Sequence, residues 1–215
     1  MRASLKINEI FFSIQGESLF VGKPTVFVRT TGCPLRCTWC DTEYAFHEGR
    51  RMSVSEILAQ VARHPTRFVC VTGGEPLAQP GTLDLLTELV AKGYTVSLET
   101  SGALSVKDVP AEVIRIIDLK CPGSGESARM DWTNLDRLRP QDQLKAVVAS
   151  REDFAWATAL VRQHRLAERA TVLFSPVHGK VSPADLAQWV LAEGLPVTMQ
   201  LQLHKILWGA DARGV

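Results

Sequence analysis

A regular alternation of short apolar runs and amphipathic segments fills residues 25–203 and restricts the folds open to this chain. Strands that alternate with helices form a mainly parallel sheet with right-handed crossovers. Strands are predicted at Lys6–Ile14, Thr25–Thr31, Arg67–Thr72, Tyr94–Glu99, Arg115–Leu119, Gln143–Val148, Thr171–Phe174 and Val197–Leu203. Eight full β/α units take about 250 residues, more than the 215 present. The sequence therefore predicts an α/β fold, a partial, open β/α barrel of about six parallel strands.

Capping residues mark most of the expected helices. Ser53 and Glu56 have the spacing of a capping box, and Gly93 follows an apolar segment as a C-terminal cap. Helices are predicted from Ser53 to Pro65, over Thr82–Lys92, from Ser150 to about His164 and from Ser182 to Gly194, with a weak one at Val106–Val113. Residues 49–51 are interpreted as a polar connection. Residues 121–142 interrupt the alternation of predicted strands and helices, so at least one helix is expected to be missing there.

Composition narrows the function classes. Lys plus Arg is 24 against 23 Asp plus Glu, a net charge of +1 that gives no electrostatic case for nucleic acid or an anionic membrane surface. An odd cysteine count with a cluster argues against a disulfide framework, so a cytoplasmic location is expected. We predict no signal peptide and no membrane span. One domain is expected over residues 1–215, with an N-terminal extension at 1–24, a core at 25–203 and a tail at 204–215.

Three of the five cysteines lie in one loop, at Cys33, Cys37 and Cys40, in the spacing C-x3-C-x2-C. Thiolates are soft ligands that suit zinc or iron–sulfur clusters. Closed sites of either kind take four protein ligands, whereas this loop offers three. Three ligands on a four-iron cluster leave one iron open for substrate or cofactor. A zinc site completed by a distant group such as His47, or a set of buried thiols, are the alternatives, and the spacing favours a cluster.

Polar residues recur wherever a predicted strand ends: Arg29, Thr72–Glu75, Glu99–Ser101, Asp118–Lys120 and Ser175–His178. Active sites of α/β barrels lie at the carboxyl ends of the strands. Each residue also has a structural interpretation, since an arginine at a strand end can reach solvent and a Gly-Gly pair can be an ordinary turn. Their recurrence predicts one site at this edge of the sheet.

The cysteine loop resembles the cluster-binding signature of the radical S-adenosylmethionine enzymes, in which an aromatic residue, here Trp39, precedes the third cysteine. Gly73-Gly74-Glu75-Pro76 is similar to the GGE motif of that superfamily. The resemblance implies a [4Fe-4S] cluster on the three cysteines, with its open iron chelated by S-adenosylmethionine. It also implies that cleavage of this cofactor produces a 5′-deoxyadenosyl radical.

The chain also resembles the 7-carboxy-7-deazaguanine synthase family along its whole length. The segments that carry this resemblance are Glu9–Glu17, Phe27–Arg29, Gly32-Cys33, Trp39–Thr42 and Leu201–Lys205. The resemblance implies a carbon–nitrogen lyase that converts 6-carboxy-5,6,7,8-tetrahydropterin to 7-carboxy-7-deazaguanine. The pterin ring contracts with loss of ammonia, on the route to queuosine and other 7-deazapurines. Hydrogen abstraction next to N5 is expected to start the reaction, and S-adenosylmethionine to be regenerated.

The same resemblance implies roles for individual residues. Thr42 is expected to contact magnesium beside the substrate carboxylate. Substrate contacts are implied for Ile14, Gln15, Gly16, Glu17, Arg29 and Thr72. Cofactor contacts are implied for Gly74, Glu75, Asp118, Leu119, Lys120, Ser175, Pro176, Val177 and His178. Other members carry different residues at 118–119 and 175–178, so backbone contacts are expected there. No general base is assigned; His204 is a candidate by position, with a structural histidine as the alternative.

The resemblance implies a small pterin substrate as a partner. A flavodoxin-like protein or another electron donor is expected, and exposed apolar residues on a short open barrel favour a homodimer. Two other functions are open, a glycyl-radical activating enzyme and a zinc-stabilised binding module. The pairing of Gln15-Gly16-Glu17 with Arg29 favours a small acidic heterocycle over a protein substrate. Whether the Val215 carboxylate reaches the site is left open.

Overall fold

The apolar runs of the sequence pair into one sheet in a computed structural model, which describes residues 4–215. The strands are β1 (Ser4–Ile14), β2 (Pro24–Thr30), β3 (Arg50–Ser53), β4 (Phe68–Gly73), β5 (Thr95–Thr100), β6 (Ile114–Leu119), β7 (Gln143–Val148), β8 (Thr171–Pro176) and β9 (Thr198–Met199). The helices are α1 (Val54–Val61), α2 (Thr82–Ala91), α3 (Arg151–Gln163), α4 (Pro183–Glu193) and α5 (Leu203–Trp208). Residues 1–3 of the predicted N-terminal extension lie outside the described residues.

The strand order along the sheet is β3-β1-β2-β4-β5-β6-β7-β8-β9. Strands β2 and β4 to β9 run parallel to one another, whereas β1 pairs antiparallel with both β2 and β3 at one side of the sheet. Six of the parallel strands have six or seven residues, and β9 has two. The sheet is open, with β3 and β9 at its edges. The predicted open β/α architecture of about six parallel strands is therefore confirmed.

Side chains alternate between the two faces of each parallel strand. One face is apolar and packs with α1 to α4 in a single hydrophobic cluster, which includes Val28, Val71, Leu98, Leu144 and Phe174. Several of the residues that alternate with this set carry polar groups toward the opposite face, among them Arg29, Thr72, Glu99 and Lys145. The same two-residue period therefore builds the core and sets out a row of functional side chains.

The predicted helix starts are confirmed by their caps. The Ser53 hydroxyl accepts from the Glu56 amide at 3.3 Å, and the Glu56 carboxylate accepts from the Ser53 amide at 2.8 Å. Ser150 caps α3 and Ser182 caps α4 by the same kind of side-chain bond. Within residues 4–215, no helix is both long enough and apolar enough to cross a bilayer.

The interpretation of residues 49–51 as a connection is wrong, because Arg50–Ser53 form the edge strand β3. Met52 is buried and pairs with Leu5 of β1, while Arg50 and Arg51 are exposed. Short, charged edge strands limit unwanted sheet pairing. Their polar composition hides the strand pattern, which is why the sequence did not predict it.

Two further elements differ from the sequence-based prediction. Val106–Val113 forms turns rather than a helix: Val106, Val109 and Val113 are buried at helix-like spacing, but the Val106 amide bonds to the Asn134 side chain. The predicted strand Val197–Leu203 shrinks to Thr198–Met199. Leu203 instead starts α5 in the predicted tail.

A buried ion pair joins β6 to the turn before β7. The Arg115 guanidinium donates to both carboxylate oxygens of Asp142, and the two side chains are 1% and 0% exposed. Arg115 also donates to the carbonyls of Val106 and Arg137, at 3.2 and 2.6 Å. This pair fixes the irregular segment that replaces a crossover helix.

We expect Asp142→Asn to lower the free energy of unfolding by about 3 kcal/mol, because breaking a buried pair leaves an uncompensated charge. Urea unfolding followed by circular dichroism measures the change. Glu168→Gln is the matched control, since it removes an exposed pair with Arg165 and should leave stability nearly unchanged. Equal stability of Asp142→Asn and wild type would contradict this account.

Candidate active site

The carboxyl ends of the parallel strands surround a cavity of about 750 Å³, within the size range of small-molecule sites. The segment after β1, the cysteine loop and the chain beyond α4 complete its wall. The predicted site residues that line it are Ile14, Gln15, Gly16, Glu17, Arg29, Cys33, Cys37, Cys40, Thr42, Thr72, Gly74, Asp118, Lys120, Val177, His178 and His204. Glu75, Leu119, Ser175 and Pro176 are absent from the lining. Most of the predicted site residues are thus brought together.

The cysteine loop is held by hydrogen bonds of its backbone and of its side chains. Arg36 donates to the Cys33 carbonyl at 2.9 Å, and the Thr38 hydroxyl donates to the Gly123 carbonyl at 2.9 Å. The Glu126 carboxylate accepts from the Arg36 amide at 2.6 Å. These bonds fix an irregular loop so that its three thiols, all half-buried, face one cavity.

The chemistry of the three thiols fits a cluster better than a single metal ion. Burial raises the pKa of Cys33, Cys37 and Cys40, while nearby Lys120 opposes the rise. Among residues 4–215, no three His, Cys, Asp or Glu side chains converge closely enough for one ion. His47, the suggested fourth zinc ligand, is exposed and does not line the cavity. Thiolates are the ligands of iron–sulfur clusters, and all three cysteines line the same cavity.

The Gly73–Pro76 turn packs directly against the cysteine loop. A Cβ atom on Gly74 would lie 2.2 Å from the Gly32 carbonyl oxygen, and Gly73 has φ +144°. The Glu75 amide donates to the same Gly32 carbonyl at 2.8 Å. Both glycines are therefore required by close backbone packing, which also places the Gly74 backbone on the cavity wall.

The Glu75 side chain points into the protein instead of the cavity. Its carboxylate is 0% exposed and accepts from the Thr100 hydroxyl, the Ser101 amide and hydroxyl, and the Leu77 amide. Thr100 and Ser101 themselves line the cavity. Glu75 thus orders two polar residues that face the site, a role that the sequence did not predict.

The segment after β1 meets the chain beyond β9. The Leu203 amide donates to the Gly16 carbonyl at 2.9 Å. A Cβ atom on Gly16 would lie 2.3 Å from Nδ1 of His204, so only glycine permits this approach. Burial lowers the pKa of His204, although Glu17 and Asp41 oppose the change. Val215 also lines the cavity.

Four alternating charges form a chain across the cavity wall. The Lys145 ammonium lies 2.7 Å from Glu17 and 3.4 Å from Asp118, and Lys120 lies 2.7 Å from the other oxygen of Asp118. Gln202 donates to the remaining oxygen of Glu17 at 2.8 Å. The sequence did not predict a role for Lys145. Lys145 lies opposite Asp118 of β6, and this pairing is visible only once the strand register is known.

The protonation states of this chain are fixed by its pairing. Burial alone raises the pKa of Glu17, but Lys145 and Gln202 hold it below its ordinary value of 4.5. Burial alone lowers the pKa of Lys145, but Asp118 and Glu17 raise it well above its ordinary value. The carboxylate and the ammonium are therefore both charged at neutral pH.

A second row of side chains joins the ends of β4 and β5. The Thr72 hydroxyl donates to one Glu99 oxygen at 2.8 Å, and the Gln15 amide lies 3.5 Å from the other. Glu99 lines the cavity and is half-buried; within residues 4–215 it makes no ion pair. Sequence reasoning noted Glu99 at a strand end but assigned it no role. It is a carboxylate that can accept hydrogen bonds from a ligand.

Asp41 and Thr42 also line the cavity. Thr42 donates its hydroxyl hydrogen to Asp41 at 2.8 Å, so the oxygen keeps its lone pairs for a cation or a donor. Partial burial would raise the pKa of Asp41, but Lys205, 2.8 Å away, holds it far below its ordinary value. The pair offers oxygen ligands of the kind that Mg²⁺ prefers.

An open parallel sheet with a three-cysteine loop at the end of its first parallel strand defines a radical S-adenosylmethionine protein, and residues 27–120 match the Radical SAM superfamily. The fold is that of the crystal structure of QueE from Escherichia coli, with a TM-score of 0.77, 23% identity and coverage of 94% of this chain and 95% of that chain. Membership of the superfamily implies a [4Fe-4S] cluster and S-adenosylmethionine as cofactors.

Full-length relatives narrow the class to one family. The chain is 44% identical to the 7-carboxy-7-deazaguanine synthase of Koribacter versatilis, over 98% of this chain and 100% of that protein. It is also 44% identical to the 7-carboxy-7-deazaguanine synthase of Chlorobaculum tepidum, over 99% of this chain and 98% of that protein. The chain belongs to the 7-carboxy-7-deazaguanine synthase family, as its sequence motifs predict.

The substitution Lys145→Met tests the chain of alternating charges through the pH dependence of the free energy of unfolding. In the wild type, Glu17 contributes stability that is present above its ordinary pKa of 4.5 and is lost as the pH falls. Without Lys145, burial dominates and the pKa of Glu17 rises above 4.5. We expect the variant to be about 3 kcal/mol less stable at pH 7, with this difference shrinking as the pH is lowered toward 4.

Urea unfolding at several pH values between 7 and 4 measures that difference. Lys107→Met, which removes an exposed lysine, should track the wild type throughout. A stability difference that stays constant across the pH range would show that Lys145 does not set the pKa of Glu17.

Proposed function

We propose that this chain is a radical S-adenosylmethionine carbon–nitrogen lyase that converts 6-carboxy-5,6,7,8-tetrahydropterin to 7-carboxy-7-deazaguanine with loss of ammonia, in 7-deazapurine and queuosine biosynthesis. The observation that carries the proposal is one cavity that joins the three thiols to Arg29 and to the hydrogen-bonding groups of Gln15 and Glu99. The family of its full-length relatives supports the same reaction.

We assign the cluster to Cys33, Cys37 and Cys40. When bound, the cluster and S-adenosylmethionine supply the electron and the 5′-deoxyadenosyl radical that start the chemistry. Gly74, Asp118, Lys120, Val177 and His178 line the same cavity as the cysteine loop and are assigned to hold S-adenosylmethionine. Glu75, Leu119, Ser175 and Pro176, also predicted as cofactor contacts, are proposed to act by shaping this wall.

A second set of cavity-lining residues matches the chemical groups of the substrate. Arg29 provides a guanidinium for the 6-carboxylate, since guanidinium pairs bidentately with carboxylate. The 2-amino-4-oxo edge of a pterin presents two adjacent N–H donors, which a carboxylate accepts well. We assign that edge to Glu99, with Thr72 and Gln15 orienting the carboxylate. Ile14, Gly16 and Glu17 complete the same wall.

Magnesium is proposed at Thr42. Its hydroxyl oxygen lines the cavity and is oriented by Asp41. Mg²⁺ keeps several waters and takes its other ligands from one or two protein oxygens and from substrate. The substrate carboxylate and Thr42 together provide such a set, and the protein contributes orientation more than enclosure.

Four finer proposals concern the setting of the enzyme. We propose a single domain, a cytoplasmic location, a flavodoxin-like protein or another small carrier as electron donor, and a homodimer. The dimer is supported by Ile206, Leu207 and Trp208, which are 64%, 51% and 41% exposed on α5.

His204, whose neutral form is favoured by burial, is retained as a candidate proton acceptor.

We expect anaerobically reconstituted protein to form 7-carboxy-7-deazaguanine from 6-carboxy-5,6,7,8-tetrahydropterin, with dithionite, S-adenosylmethionine and magnesium. Cys37→Ala should abolish the product because it removes one ligand of the cluster. Mass analysis of the products is the measurement. Glu168→Gln is the control, since it removes only an exposed ion pair with Arg165 and should leave product formation unchanged.

Three results of this assay would separate the alternatives. Cleavage to 5′-deoxyadenosine without the deazaguanine would reject the substrate and keep the superfamily. Stoichiometric zinc with no cleavage would restore the binding-module hypothesis. A radical placed on an added protein would favour an activating enzyme.

We expect Glu99→Gln to raise the KM for 6-carboxy-5,6,7,8-tetrahydropterin about tenfold. The carboxylate offers two acceptor oxygens to the two N–H donors of the pterin edge, whereas the amide of glutamine offers one acceptor and places an N–H donor against the other. Steady-state kinetics with Glu168→Gln as the control measures this. Unchanged KM in Glu99→Gln would place the pterin edge elsewhere in the cavity.

A further inference from the structure

Arg29 is held from one side only. Its Nε donates to Oε1 of Glu9 at 2.7 Å, and within residues 4–215 this is the one hydrogen bond that the guanidinium makes. Neither Nη group therefore has a protein acceptor in the part of the chain that the structure describes. Arg29 lines the cavity, whereas Glu9 does not. The carboxylate thus approaches the guanidinium from behind and leaves the Nη edge for a ligand.

Two aromatic rings flank the same guanidinium. Its carbon lies 5.6 Å from the centre of the Phe11 ring and 5.9 Å from the centre of the Tyr44 ring. Phe11 in turn stacks on Phe27 at 4.9 Å. The Tyr44 hydroxyl donates to the same Glu9 oxygen that binds Arg29, at 2.9 Å. Glu9 therefore fixes both the arginine and one of the rings that confine it.

The sheet register places Glu9 for this task. Glu9 of β1 pairs directly with Arg29 of β2, and the register of these strands shifts between Ile7 and Glu9. Directly paired residues of an antiparallel ladder lie on the same face and within reach of each other. The shift, confined to this point, brings Glu9 opposite Arg29.

We propose that Glu9 is a positioning residue that presents the Nη edge of Arg29 to the carboxylate of the substrate, an inference that rests on the proposed function. An arginine side chain free to rotate loses conformational entropy when it binds. A guanidinium already locked at Nε and between two rings loses less, so pre-organisation strengthens binding. Glu9 acts through Arg29 and does not touch the substrate itself.

Glu9 also has an opposing electrostatic effect, because its negative charge weakens the attraction of Arg29 for an anion. Two substitutions separate these effects. Glu9→Gln keeps an oxygen acceptor for Arg29 and Tyr44 but removes the charge. Glu9→Ala removes both the acceptor and the charge. Positioning predicts that only the alanine variant weakens carboxylate binding.

The test uses full-length, reconstituted enzyme with S-adenosylmethionine and magnesium. We measure kcat and KM for 6-carboxy-5,6,7,8-tetrahydropterin, and fluorescence-detected Kd values for 6-carboxypterin and for pterin, which lacks the carboxylate. Glu9→Ala should raise KM and the Kd of 6-carboxypterin about tenfold, the size of one well-oriented charged hydrogen bond. Its kcat and its Kd for pterin should stay within about twofold of wild type, and Glu9→Gln should resemble the wild type.

Controls separate positioning from loss of structure. Glu168→Gln breaks an exposed carboxylate–guanidinium pair and should change none of these values. In an Arg29→Ala background, adding Glu9→Ala should have little further effect on the Kd of 6-carboxypterin, because the arginine through which Glu9 acts is gone.

Two results would overturn the inference. One is an unchanged or lower KM in Glu9→Ala. The other is an equal loss of 6-carboxypterin and pterin binding, which would indicate a general structural effect. Failure of the proposed function is distinct, since it would appear as absence of product from the wild type.

Discussion

The buried carboxylate of Glu75 is the contact on which the site depends. It gathers donors from Leu77, Thr100 and Ser101, so the ends of β4 and β5 are joined by one carboxyl group that water does not reach. A buried polar group without partners is costly, and full pairing makes this arrangement specific. The backbone on either side of Glu75 then carries Gly74 onto the cysteine loop. A residue that does not line the cavity thereby sets the distance between the thiols and the sheet.

The sequence predicted the α/β fold and the cysteine loop because both are recorded in local patterns. Period-two alternation marked the strands, and capping residues marked α1, α3 and α4. The role of Lys145 could not be predicted in this way. A lysine in a short strand has the same appearance whether it faces solvent or a partner, and its pairing with Asp118 follows from register across β6 and β7. Glu75 was missed in its structural role for the same reason, since its partners lie about 25 residues away.

Charge inside the cavity is dense although the chain as a whole is nearly neutral. Lys145 and Lys120 alternate with Glu17 and Asp118, so each ion has an opposite neighbour. Such chains keep polar groups ionised in a confined volume and hold them in place before a ligand arrives. Overall composition carries no trace of this arrangement, because the opposite charges cancel in the sum.

The hydrogen bonds of the segment after β1 bear on the order in which the protein folds. Ser18 and Leu19 donate backbone bonds to the side chains of Gln200 and Gln143, and Gly16 receives the Leu203 amide. A ribosome releases residues 15–19 well before any of these partners, and non-local contacts form only after loop closure. Residues 15–19 therefore lack these hydrogen bonds until the last elements of the sheet have been synthesised. The partners of the cysteine loop, Glu75, Gly123 and Glu126, all precede Gln143 in the chain. The cavity wall that carries the cysteines can therefore form before the wall that carries Gly16 and Glu17.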